Sequence, residues 1–152
     1  MKKLITKVPI ISFAIGIFLL LIFFGQNAQA QPLLDCQVRT GDCRPSEVTI
    51  FKMSAPTNGH AELPNQTNYN SSVCCSRRAG LESSCSGNYV IALRLSGATN
   101  AHVEKNNYSP QNYFNYACLS ASQPVACNYA SDCSTLGAGY SPLASISGET
   151  NA

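Results

Sequence analysis

Val48-Thr-Ile-Phe-Lys-Met-Ser-Ala-Pro-Thr-Asn-Gly-His-Ala-Glu62 aligns without a gap on Val90-Ile-Ala-Leu-Arg-Leu-Ser-Gly-Ala-Thr-Asn-Ala-His-Val-Glu104, 42 residues further along. A third copy opens at Tyr140 and runs into Ser147-Gly-Glu-Thr-Asn-Ala152, where the next residue of the pattern would be His. A period of roughly 20–50 residues marks stacked supersecondary units. The chain is therefore expected to be a tandem array with an incomplete third repeat, whose last strand lacks its partner, rather than one enzyme domain.

Each copy opens on a period-2 pattern, which predicts a half-buried strand. Thr49, Phe51 and Met53 face one way, and Ile91, Leu93 and Leu95 repeat that face. Ala144 and Ile146 continue it in the third copy. This mostly apolar face is read as core, with β-branched and aromatic residues favouring a pleated strand. Lys52 and Arg94 lie on the opposite face and are expected to reach solvent. A turn follows each strand. Asn58-Gly59 suits a backbone with φ > 0, and Asn100-Ala101 keeps the Asn without the Gly, so the demand is placed on Asn. After a polar loop, a second strand ends in cysteine: Tyr69 to Cys74 and Tyr113 to Cys118. Tyr116-Ala117-Cys118 has the spacing of a tyrosine corner. No helix is expected after residue 30.

All eight cysteines lie beyond residue 30. Cys43, Cys85 and Cys133 each precede a first strand; Cys36, Cys75 and Cys127 precede those; Cys74 and Cys118 close the second strands. The favoured scheme uses all eight and repeats: Cys36–Cys43, Cys75–Cys85, Cys127–Cys133 and Cys74–Cys118. The competing scheme closes each unit on itself, through Cys43–Cys74 and Cys85–Cys118. One unit of two or three strands cannot bury both faces. Two together make a small two-layer body. The expected fold is all-β: a disulfide-stapled β-sandwich, Ig-like in character, of tandem repeats about 42 residues long. Residues 31–119 form the two-repeat domain and 120–152 open a third repeat.

Residues 1–30 read as a signal peptide: Lys2, Lys3 and Lys7, then an apolar run from Ile10 to Phe24, then Ala28-Gln-Ala30 as the cleavage site. Cysteine density in an exported chain implies disulfides in an oxidising compartment. The expected location is secreted or cell surface, with no membrane insertion of the mature chain. Of the ten Lys and Arg, three precede residue 31, and the rest nearly balance eight Asp and Glu. No basic stripe exists to bind nucleic acid.

His60 and His102 are the only histidines and occupy equivalent places in Asn-x-His-x-Glu. Alternation puts His60 with Glu62, and His102 with Glu104, on one face of an extended segment. An imidazole beside a carboxylate is half of a zinc or copper site, so these four residues are the candidate metal ligands. The competing reading is a structural turn. Catalytic residues are not expected: the cysteines are assigned to disulfides, and no Gly-x-Ser-x-Gly occurs. No cofactor is expected. Asn65, Asn70 and Asn107 head glycosylation sequons. Arg77-Arg78 reads as an exposed loop. Tyrosines set among Asn and Ser suit adaptable binding surfaces, with Tyr69 and Tyr116 assigned to packing. The expected function is a non-catalytic structural or adhesive surface protein, or alternatively an extracellular metal- or glycan-binding module. Its partners would be other surface proteins, glycans or further repeats of the same chain.

Overall fold

The computed structural model describes residues 34–137 and 139–151. The expected targeting segment and its cleavage site at Ala30 lie outside the described residues. The chain runs through β1 (Asp35–Thr40), β2 (Val48–Met53), β3 (Ala61–Glu62), β4 (Ser71–Ser76), β5 (Tyr89–Leu95), β6 (Val103–Lys105) and β7 (Asn115–Ser120), then a 3-10 turn at Cys133–Leu136. The protein is all-β, with two antiparallel sheets of strand order β1-β4-β2-β3 and β6-β5-β7. In each sheet the strand opening a copy lies between its short partner (β3 or β6) and its cysteine-bearing partner (β4 or β7).

Strict alternation breaks at one place in each sheet. The β2–β4 register shifts between Thr49 and Phe51, and the β5–β7 register shifts between Ile91 and Leu93. The extra residue of a bulge re-aims its neighbours. Ile50 and Phe51 are thus both buried, as are Ala92 and Leu93. Strict alternation from Thr49, Phe51 and Met53 would turn Ile50 away from the core, and the register shift corrects those expected faces. Lys52 and Arg94 are also corrected: each bends over the loop beside it rather than into solvent, Lys52 donating to the Gln66 carbonyl at 2.8 Å and Arg94 to the Tyr108 carbonyl at 3.0 Å.

Both sheets feed one apolar cluster, which includes Ile50, Phe51 and Val73 from the first and Leu93, Leu95 and Leu119 from the second. Side chains of this size contribute roughly 1.5–3 kcal/mol each when fully buried. Val125, Leu143 and Ile146 from the later segment pack against the same cluster.

Three disulfides hold this body: Cys36–Cys75, Cys43–Cys74 and Cys85–Cys118. The favoured local pairing is corrected: Cys43–Cys74 and Cys85–Cys118 are the pairs of the self-closing scheme, and Cys36–Cys75 belongs to neither scheme. Register explains why. Cys36 of β1 lies directly opposite Cys75 of β4. Cys74 and Cys75 are consecutive strand residues, so their side chains leave opposite faces and take different partners. Loops of this length make each bridge worth about 3–4 kcal/mol in the chain-entropy account. Cys127 and Cys133 are free thiols, and burial pushes the Cys127 thiol up to about 11. Three disulfides fit an oxidising compartment. Among the described residues no helix is long and apolar enough to cross a membrane.

The third copy departs from expectation. Residues 140–146 form no strand; Leu143 and Ile146 turn inward while Ala144 is exposed. Pro142 removes a ladder donor, which disfavours sheet pairing there. Cys133 starts the 3-10 turn instead of preceding a strand, with the Asp132 carboxylate accepting from the Ser134 N–H at 2.9 Å.

Candidate functional site

Each Thr-Asn-x-His segment closes a hairpin in the same way. His60 and Ser54 exchange two bonds: the Ser54 N–H donates to the His60 carbonyl at 2.9 Å, and the His60 N–H to Ser54 Oγ at 2.9 Å. His102 and Ser96 repeat the pair at 3.0 and 2.9 Å. Asn58 and Asn100 adopt left-handed φ of 52° and 47°. Asn reaches this region at little cost because its side chain is short and polar. The turn demand thus falls on Asn, as the second copy's missing Gly implied.

The hairpin ends meet edge to edge. Ala61 and Ala101 form an antiparallel bridge, their N–H groups donating to each other's carbonyls at 2.9 and 2.8 Å. The histidine rings flank the bridge, centroids 5.1 Å apart and tilted 44°. Asn100 ties the junction: its Oδ1 lies 2.7 Å from His60 Nδ1 and accepts from the Tyr69 hydroxyl at 3.1 Å. The main chain adds a bond from Leu63 N–H to the Ala98 carbonyl at 2.9 Å.

Glu62 and Glu104 play a different part from their histidines. Both carboxylates are fully buried, whereas His60 is exposed and His102 half-buried. Glu62 accepts from the Tyr69 N–H at 2.9 Å and from Asn68 Nδ2 at 3.1 Å. Glu104 accepts from Asn112 Nδ2 at 2.8 Å and from the N–H groups of Asn112 and Tyr113. In each copy a buried carboxylate thus holds the Asn-Tyr pair that leads into the second strand. Burial alone would raise the Glu104 carboxyl; the bonds from Asn112, Tyr113 and Arg94 outweigh it and hold the group below the usual carboxylate range. Arg94, opposite Glu104 across the β5–β6 pair, approaches it at 3.4 Å. Lys52 occupies the equivalent position opposite Glu62.

The four candidate ligands therefore separate into a surface pair of imidazoles and two inward carboxylates already occupied by donors. Among the described residues no group of three or more His, Cys, Asp or Glu is arranged to hold a metal ion. Reading the sequence missed the anchoring role of Glu62 and Glu104. The signal was present in the pairing of Lys52 with Glu62 and Arg94 with Glu104, each ten residues apart. Asn65, Asn70 and Asn107 are exposed. The Tyr116 hydroxyl accepts from Gln111 Nε2 at 2.8 Å. The Lys105 ammonium sits 5.8 Å from the Tyr108 ring and 5.4 Å from that of Tyr129.

No family model, curated protein or solved structure matches this chain.

Proposed function

We propose that the chain is a non-catalytic structural or adhesive module of the cell exterior, assembled from tandem disulfide-closed β units that pack as a small sandwich of immunoglobulin-like character. The observation that carries this reading is the repeated use of the same polar side chains for the same internal bonds. Ser54 with His60 matches Ser96 with His102, and Glu62 with Asn68 and Tyr69 matches Glu104 with Asn112 and Tyr113. Residues committed to fixed main-chain donors hold loops; they are not poised to exchange protons with a substrate. Secretion after cleavage near Ala30 belongs to this reading, as does glycosylation at Asn65, Asn70 and Asn107. Its partners are further units of this kind, surface proteins or glycans.

A second reading takes the paired imidazoles as a metal-binding patch. It is favoured by the 5.1 Å separation of the His60 and His102 rings. Thermal melting in the presence of excess zinc or copper separates the two. The structural reading predicts an unchanged melting temperature. A rise abolished by His102→Ala would move the assignment to the metal-binding module.

A further inference from the structure

Part of the junction between the two hairpins recurs further along the chain. Residues 147–151 lie against β6 as residues 96–100 lie against the segment after β3. The Leu63 N–H donates to the Ala98 carbonyl at 2.9 Å, and the Lys105 N–H donates to the Glu149 carbonyl at 2.8 Å. The Tyr69 hydroxyl donates to Asn100 Oδ1 at 3.1 Å, and the Tyr113 hydroxyl to Asn151 Oδ1 at 3.2 Å. Asn100 has φ 47° and Asn151 has φ 56°, both left-handed. In the alignment Leu63 corresponds to Lys105, Ala98 to Glu149 and Asn100 to Asn151. The resemblance thus extends from sequence to two hydrogen bonds of the contact, one from the main chain and one from a tyrosine hydroxyl, although residues 140–146 form no strand.

We propose that the edge formed by Lys105, Glu104 and Tyr113 is a recognition site for a Thr-Asn turn, and that Glu149–Asn151 is its occupant. Recognition has three parts. The Lys105 N–H reads the main chain. The Tyr113 hydroxyl reads the asparagine, which the left-handed backbone presents. The buried Glu104 carboxylate reads the threonine, whose hydroxyl donates to Oε1 at 3.2 Å. A salt bridge of 2.9 Å from Lys105 Nζ to Glu149 adds charge complementarity. The site accepts the turn without requiring the strand that precedes it, so docking of a neighbouring unit is separable from folding of that unit. The inference rests on the tandem reading above and gives it a pairing rule: a Tyr from one unit meets the left-handed Asn of the next.

Amide hydrogen exchange on the full chain tests it. The Lys105 N–H is expected to be protected in the wild type, and Asn151→Ala or Tyr113→Phe should speed its exchange at least tenfold while leaving the Leu63 N–H unchanged. Asn100→Ala should do the reverse. An unprotected Lys105 beside a protected Leu63, or Lys105 protection indifferent to both substitutions, would overturn the docking site and leave the tandem reading standing. Loss of protection at Leu63 in the wild type would instead bring down the tandem reading and the docking site together.

Discussion

His60 and His102 lie 5.1 Å apart, ring centroid to ring centroid, on either side of the bridge that joins the two sheet edges at Ala61 and Ala101. Two residues 42 apart in sequence are neighbours because each follows a left-handed asparagine that turns its hairpin back on itself. The two matching sequence segments therefore meet in the fold through a main-chain bridge, and Asn100 adds the side-chain bonds that tie it.

Asn100→Ala removes the acceptor of the Tyr69 hydroxyl and the partner of His60 Nδ1, and places a β-carbon in a left-handed backbone. The combined cost should be roughly 2–3 kcal/mol, from lost hydrogen bonds and from the left-handed penalty. Asn100→Gly keeps the backbone and should lose only about 1 kcal/mol. Urea denaturation of the two variants measures the difference; equal losses would mean that the φ of Asn100 costs nothing.

Glu104→Gln replaces an acceptor of main-chain donors with an amide and leaves the Arg94 guanidinium, whose side chain is only 12% exposed, without its counter-charge. Breaking a buried pair from one side costs about 3–5 kcal/mol. Glu62→Gln lacks that arginine and should cost roughly 1–2 kcal/mol. Chemical denaturation of both variants should rank them in that order.

Gly59 keeps an ordinary φ but has no room for a side chain: a β-carbon there would lie 2.6 Å from the Ala55 backbone nitrogen. Gly59→Ala should destabilise by about 1–3 kcal/mol, the usual cost of forced overpacking. The melting temperature should fall without loss of the disulfides.

Acid should weaken the fold through groups whose folded pKa is depressed. Side-chain bonds from Arg39, with a backbone bond from Arg44, hold Glu47 down to about 2, against about 4.3 unfolded. Its contribution is complete above the unfolded value and drains away as the pH falls from there toward 2. Glu104 acts in the same direction. Melting temperatures from pH 7 to pH 2 should fall below about pH 4.5, and Glu47→Gln should flatten part of that slope.

Much of the layout was legible from residues alone. The strands at 48–53 and 89–95, the two cysteine-bearing strands (which run two residues past the expected ends at Cys74 and Cys118) and the left-handed asparagines follow from alternation and from the Asn-Gly to Asn-Ala change. The bulges were not legible: Thr49-Ile-Phe51 and Ile91-Ala-Leu93 look like ordinary apolar runs, and only the register against β4 and β7 shows which residue is skipped. Disulfide partners were illegible for the same reason, since Cys36 meets Cys75 through strand pairing 39 residues apart. A scheme chosen because it repeats and uses all eight cysteines takes no account of strand pairing, which sets Cys75 opposite Cys36. The glutamates misled because alternation gives a direction but not burial. Their fate is set by the Asn-Tyr donors that follow them.

Cys36–Cys75 and Cys43–Cys74 hold the first sheet, Cys85–Cys118 closes the second, and no disulfide joins the two among the described residues; peptide mapping under non-reducing conditions is the decisive check. Trypsin cuts after Arg39, Lys52, Arg77, Arg78, Arg94 and Lys105, so Cys74 shares a peptide with Cys75, Cys118 shares one with Cys127 and Cys133, and the other cysteines fall on separate peptides. The bridges of the structure should yield one species joining the peptide that ends at Arg39 to 40–52 and 53–77, and a second joining 79–94 to 106–152. A link between 53–77 and 79–94, or between 53–77 and 106–152, would contradict this assignment.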